Sequence, residues 1–190
     1  YKGVKLMLWI ILIIVVLLIL FIISVYNSLV TLRQRVKNAF GQMDVQLQRR
    51  FDLIPNLVET VKGYMTHESD TLAKVTELRT AWAGAKTVDE KAKLDNELSN
   101  TLKTIMAVAE AYPDLKANQN FESLQNELTE TEDKISYSRQ FYNDTVTRYN
   151  TKLELFPSNI IAGMFHFTAE SLFEVDSAEA RKNVKVDFNK

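Results

Sequence analysis

No cysteine occurs in the 190 residues, which rules out disulfides, thiolate nucleophiles and cysteine-ligated zinc or iron-sulfur centres in any compartment. Histidine appears only at His67 and His166, in neither an HExxH nor a Glu-x-x-His pattern, so His67, Glu68 and Asp70 are read as a solvated loop and no metal site is expected. A G-x-S-x-G elbow, a Walker loop and a G-x-G-x-x-G turn are all missing, leaving nucleophilic and phosphate-handling chemistry without a motif. No enzyme activity and no cofactor are expected. Gly (five) and Pro (three) are scarce, and segments rich in Leu, Glu, Lys, Gln and Ala show little period-two alternation, so an all-α fold is expected. Charge of one sign is lacking too: 23 Lys+Arg against 24 Asp+Glu leaves a net of -1, which offers no field for nucleic acid.

What the chain does have is one long apolar run. From Leu6 to Val25, through Trp9 and Leu20, no charged residue intervenes. About 20 such residues in a helix cross a hydrocarbon core about 30 Å thick, so the run reads as a transmembrane helix. A cleaved signal peptide would have a shorter apolar region ending at small residues, and here Ser24 stands alone near the end. Tyr1, Lys2 and Lys5 flank one side and Tyr26 the other, as polar-edged rings favour the headgroup zone. Lys2 and Lys5 against Arg33, Arg35 and Lys37 lean the following domain towards the cytoplasm. The expected organisation is an N-terminal tail (1–5), a transmembrane helix (6–25) and a helical bundle domain (26–190) with a C-terminal arm from about residue 157.

From Tyr26 the apolar positions Leu29, Leu32, Val36, Phe40, Met43, Leu47, Phe51, Ile54, Val58, Val61 and Met65 step by three or four. With no Gly- or Pro-rich linker after Val25, the membrane helix is expected to continue into the first helix of the bundle as one stalk. Pro55 lacks an N–H and clashes with the carbonyl of Phe51, which predicts a kink or break there. Ser69 or Asp70 is expected to cap a helix carrying Leu72, Val75, Leu78 and Trp82, closed near Gly84. Thr87 and Glu90 have capping-box spacing and should open another, with Ala92, Leu94, Leu98, Leu102, Ile105, Met106 and Ala109 on its apolar face, stopped by Pro113. A last helix from Leu115 or Ala117 to Phe156, with Phe121, Leu124, Leu128, Ile135, Tyr142, Val146, Tyr149, Leu153 and Phe156 as its stripe, would span about 60 Å and lie antiparallel to the first. The fold expected is thus a long antiparallel bundle of about four helices. Phe173-Glu174-Val175-Asp176 and Val184 to Phe188 alternate like short extended segments, a small β-pair or an ordered arm.

Three groups are candidates for interaction. Arg49 and Arg50 precede Pro55, and one of them falls near the apolar stripe; a partner or lipid-headgroup contact competes with an internal salt link to Asp52, Glu59 or an acid on the last helix, and the internal link is favoured. Tyr142-Asn143 and Tyr149-Asn150 are one heptad apart on one face, a coiled-coil-type spacing that favours a register-setting ladder over a ligand groove. Ile160, Ile161, Met164 and Phe165 form a patch too short to be a free helix, expected to fold back on one end of the bundle, or else to dip into a membrane surface or a partner.

Arg49-Arg50-Phe51-Asp52-Leu53-Ile54-Pro55-Asn56-Leu57-Val58-Glu59-Thr60-Val61-Lys62-Gly63-Tyr64 resembles a signature of the LemA family of bacterial membrane-anchored proteins. Glu110 to Phe121, Arg139 to Val146, Tyr149-Asn150 through Phe156-Pro157-Ser158-Asn159 and the closing Val186-Asp187-Phe188 agree with it, so the resemblance covers nearly the whole chain. It implies a short N-terminal tail outside a bacterial cell (inner) membrane, one transmembrane helix and a long helical bundle. It transfers no catalytic residue. The expected function is a membrane-anchored helical scaffold with membrane lipid, a second copy of itself and other membrane proteins as partners; a membrane-tethered small-ligand or lipid-binding sensor is the alternative.

Overall fold

The computed structural model of the chain describes residues 2–175. The expected aromatic Tyr1 and the extended segments from Asp176 onwards, with Val184 to Phe188, lie outside the described residues. Among the described residues seven helices run in order: α1 Lys2–Asp52, α2 Ile54–Val61, α3 Ser69–Gly84, α4 Val88–Ala109, α5 Pro113–Lys116, α6 Gln119–Glu154 and α7 Ser158–Met164. No strand occurs among them; Phe173 is buried and Glu174 O accepts from Asn96 Nδ2 of α4 at 3.1 Å, as an ordered arm would have it.

α1 is one helix of 51 residues, about 75 Å by helical rise. No break separates the apolar run from the residues after it, and Tyr26 to Thr31 are helical. Every side chain from Leu6 to Phe21 is exposed; burial begins at Val25 and repeats at Leu29, Val36 and Ala39. Helical periodicity thus changes its partner along a single rod: apolar all round first, then one stripe.

Contacts group the chain into two units. The first holds the chain up to Gly41 and Phe141–Glu170. In it Val25 and Leu29 form a cluster with Ile161 and Ala162, against which Ile22, Leu153 and Phe167 pack. Farther along α1, Phe40 meets Tyr142 at 5.6 Å between ring centroids. Advancing along α1 therefore means retreating along α6, which makes them antiparallel, as expected. α7 ends in a Schellman motif: Phe167 N–H bonds Ala162 O at 2.9 Å and His166 N–H bonds Gly163 O, with His166 in the left-handed region at φ 56.

The second unit holds Gln42–Gln140 and the segment beginning at Ser171. Its core takes Met43, Leu47 and Phe51 from α1, Ile54, Leu57 and Val61 from α2, Leu72, Val75, Leu78 and Trp82 from α3, Leu98, Leu102 and Ile105 from α4, and Phe121, Leu128 and Ile135 from α6. Phe51 stacks on Trp82 at 4.3 Å and 13°. Lys74 on α3 pairs with Glu97 on α4, and Lys91 lies over Trp82, so α3 and α4 are antiparallel. The break at Pro55 is confined to Leu53: its N–H still bonds Arg49 O at 3.2 Å and its carbonyl accepts from Leu57, while Pro55 sits in the first turn of α2, where its missing donor costs nothing.

Several expectations need correction. Neither Ser69 nor Asp70 caps α3; Glu68 holds that position and makes no cap bond, its carboxylate accepting instead from the Tyr112 hydroxyl at 3.1 Å. α6 begins at Gln119 because Pro113 starts the separate turn α5, and Asn118 Oδ1 then accepts from the N–H groups of Asn120 and Phe121. α6 also stops two residues early, at Glu154, so Phe156 is exposed instead of buried. The Thr87-Glu90 capping box forms as expected, Thr87 Oγ1 accepting from Glu90 N–H at 3.2 Å and Glu90 Oε2 accepting from Thr87 N–H at 3.1 Å. The backbone N–H groups of Lys86 and Thr87, both donating to Oε2, hold the Glu90 carboxyl below its ordinary value. Replacing Thr87 by Ala should lower stability by about 1 kcal/mol; thermal unfolding followed by circular dichroism checks it, and an unchanged melting temperature would mean the box is ornamental.

Candidate functional site

In the first unit the candidate residues gather where the apolar part of α1 ends. Tyr26 makes edge contacts with Phe165 at 4.9 Å and Phe167 at 5.7 Å, and the Arg33 guanidinium lies over the Phe167 ring at 5.0 Å. Ile161 is buried, whereas Ile160, Met164 and Phe165 are 54%, 60% and 47% exposed. α7 thus folds back, but with one side only.

The chain leaving α7 is held by the Tyr-Asn pairs of α6. Tyr149 donates from its hydroxyl to Thr168 O at 3.0 Å. Asn150 clamps residue 170 at both polar groups, Nδ2 donating to Glu170 O and Oδ1 accepting from Glu170 N–H, each 2.9 Å. One amide side chain here imitates a strand partner. Burial, and the Glu170 carboxylate, raise the Tyr149 phenol above its ordinary 10.0 against the opposing Arg33 charge, so it stays a neutral donor. Tyr142 is buried against Phe40, and Asn143 is half-buried beside it. The two tyrosines are packed rather than lining a groove; the heptad spacing sets how α6 holds its neighbours, with Asn150 reaching the arm instead of another helix.

In the second unit, Arg49 and Arg50 separate. Arg49 reaches Glu127 on α6 at 3.4 Å, both half-exposed, an ion pair worth about 0–1 kcal/mol. Arg50 is 3% exposed and its Nη1 donates to Asp95 Oδ1 of α4 at 3.0 Å, with Asp95 at 2%. That partner was not among those expected. Asp52 instead accepts from Gln48, and Glu59 pairs with Lys62. The signal lay in spacing: Asp95 falls between Ala92 and Leu98 on the apolar face of α4, and Arg50 follows Leu47 on that of α1. Opposite charges on two buried faces ask for each other. Nearby, Gln48 Oε1 accepts from the Trp82 indole at 2.8 Å, and Lys91 both pairs with Asp44 and lies over that indole.

Arg50 Nε is buried with no hydrogen-bond acceptor among the described residues. The Arg50 residue lines a cavity of about 230 Å³ together with Ser99, Lys103, Met106, Gln125 and Glu132. Loss of water pushes the Asp95 carboxyl above its ordinary 3.8; Arg50 and Arg139 oppose that, and Glu132 adds to it. A carboxyl higher in the folded than the unfolded chain stabilises fully below pH 3.8 and loses that contribution as pH rises through its folded value. No group of three or more His, Asp or Glu able to hold a metal occurs among the described residues.

These features define a class: a membrane-associated helical protein, with an exposed apolar helix at one end of its sequence and a packed helical body behind it. The family model for the LemA family matches residues 39–188, and the chain belongs to that family. Protein LemA of Metamycoplasma hominis is 24% identical over 155 residues, 80% of this chain and 70% of that protein. Magnetosome protein MamQ 2 of Paramagnetospirillum magneticum is 25% identical over 175 residues, and MamQ of Magnetospirillum gryphiswaldense 22% over 174; each alignment covers 78% of this chain and 64% of the relative. The chain thus spans less than two thirds of the MamQ proteins.

The buried pair makes a prediction. Arg50→Met should cost about 3–5 kcal/mol at about pH 7, and less as the pH falls, because a protonated Asp95 leaves no uncompensated buried charge, while Arg50→Met with Asp95→Leu should restore the stability or exceed it. Unfolding of the detergent-solubilised chain reads both; a double variant as unstable as the single one contradicts the assignment.

Proposed function

We propose that this protein is a single-pass membrane-anchored scaffold that holds a helical surface beside a bacterial cell membrane and self-associates there. The observation carrying this reading is α1: its exposed apolar stretch and its buried Val25-Leu29-Val36-Ala39 stripe belong to one uninterrupted helix. Water makes so long an exposed apolar run untenable, and lipid accepts it. Arg33, Arg35 and Lys37 just past the run favour a cytoplasmic domain and an outer N-terminus. Arg49, Arg50, Tyr142, Tyr149 and Asn150 are engaged in packing, ion pairs and backbone clamps, arrangements that suit a structural part better than a catalyst. The LemA and MamQ names specify no reaction, in keeping with a non-catalytic role.

A ligand-binding module is a second reading, favoured by the cavity that Arg50 and Lys103 line, and it would act through those two residues rather than Tyr142 and Tyr149.

Crosslinking in intact membranes followed by mass spectrometry should give intermolecular links between identical peptides of the helical body and partner peptides from one side of the membrane only. Light scattering in detergent should find a protein mass well above 21.8 kDa. A monomer in both detergent and nanodiscs, with no intermolecular link in membranes, would defeat the scaffold reading.

A further inference from the structure

We infer that α7 is a second membrane contact: it lies in the lipid-water interface with Ile160, Met164 and Phe165 against the bilayer surface. The inference rests on α1 being the anchor. Where the apolar run ends fixes where the bilayer surface is, and α7 packs at that point. Val25 and Leu29 are buried against Ile161 and Ala162, and Tyr26, the interfacial ring of the span, touches Phe165 and Phe167.

The composition of this segment is unlike that of the rest of the body. From Leu155 to Ala169 there is no Asp, Glu, Lys or Arg, while Glu154 and Glu170 bracket it. Within it Leu155, Phe156, Ile160, Met164 and Phe165 are all about half exposed or more. A contiguous apolar patch of this kind marks a surface that meets something other than water. The nearest apolar phase is the one that already surrounds α1. A seven-residue helix has no stability of its own, so α7 needs packing on both sides, α1 on one and acyl chains on the other.

Charge agrees with this placement. Arg33 lies about 12 Å along the helix past Val25, a height at which lipid phosphates stand, and its guanidinium rests on the Phe167 ring. Arg35 and Lys37 are exposed one turn on. An apolar face below and cations above is the pattern of an interfacial element, with the lipid surface as its occupant.

The absence of cysteine makes the test direct. Single variants Met164→Cys, Leu17→Cys and Tyr137→Cys of the full chain, nitroxide-labelled and reconstituted in phosphatidylcholine-phosphatidylglycerol vesicles, are compared by collision with oxygen, which partitions into lipid, and with a water-soluble nickel chelate. Met164→Cys should resemble Leu17→Cys, with an oxygen-to-nickel ratio severalfold above that of Tyr137→Cys on the exposed face of α6. A label at 164 as open to nickel as the one at 137 overturns the inference and leaves the anchor standing. One shielded from both reagents puts a second copy or another protein on that face and also overturns it. Nickel access at position 17 defeats the anchor itself.

Discussion

Hydrocarbon offers no partner for a backbone N–H or C=O, so a chain that crosses it must close its hydrogen bonds within itself, and a single crossing segment has only the helix available. That constraint shapes everything downstream. In a helix already formed the unfavourable nucleation is past and each further residue adds a bond, so it continues until the sequence stops it. Here nothing does so before Leu53 and Pro55. The buried stripe Val25-Leu29-Val36-Ala39 is therefore carried on the same helix as the exposed apolar run.

The roles of the surrounding residues derive from this. Val25 and Leu29 are the first buried side chains on α1, after the partly buried Ile22, and the elements that meet them, α7 and the end of α6, come from far along the sequence. Tyr149 and Asn150 then tie the outgoing chain back to α6, turning polar groups on backbone that no strand would satisfy. In the other unit the corresponding device is the buried Arg50-Asp95 pair, which adds little net stability yet fixes which faces of α1 and α4 may meet, since any slip would strand a charge.

Much of this was legible in the sequence where the signal is local. The apolar run, the stripe from Leu29 to Met65, the Pro55 break and the Thr87-Glu90 box each depend on residues within a turn or two of each other. Expectations failed where a distant partner decided the outcome: the cap position expected at Ser69 or Asp70 fell to Glu68, whose carboxylate meets Tyr112, and Arg50 found Asp95 once two apolar faces met. The end of α6 is a third kind of case. Leu153 to Phe156 continue the helical spacing, but Pro157 begins a new segment, and Ser158 Oγ donates to Lys152 O and Leu155 O, so the last turn closes early and turns Phe156 outward. For the patch at 160–165 the residue types announced an apolar contact, while which side faces protein became visible only with Ile161 against Val25.

The continuity of α1 through the membrane surface is the claim on which the account rests, and electron-electron distance measurement between nitroxides tests it most directly. With labels at Val15→Cys and Lys37→Cys in lipid nanodiscs, 22 residues of unbroken helix predict one narrow distribution centred near 33 Å, about 1.5 Å per residue. A broad or shorter distribution would place a hinge between lipid and body, and the surface this protein presents would then have no set height.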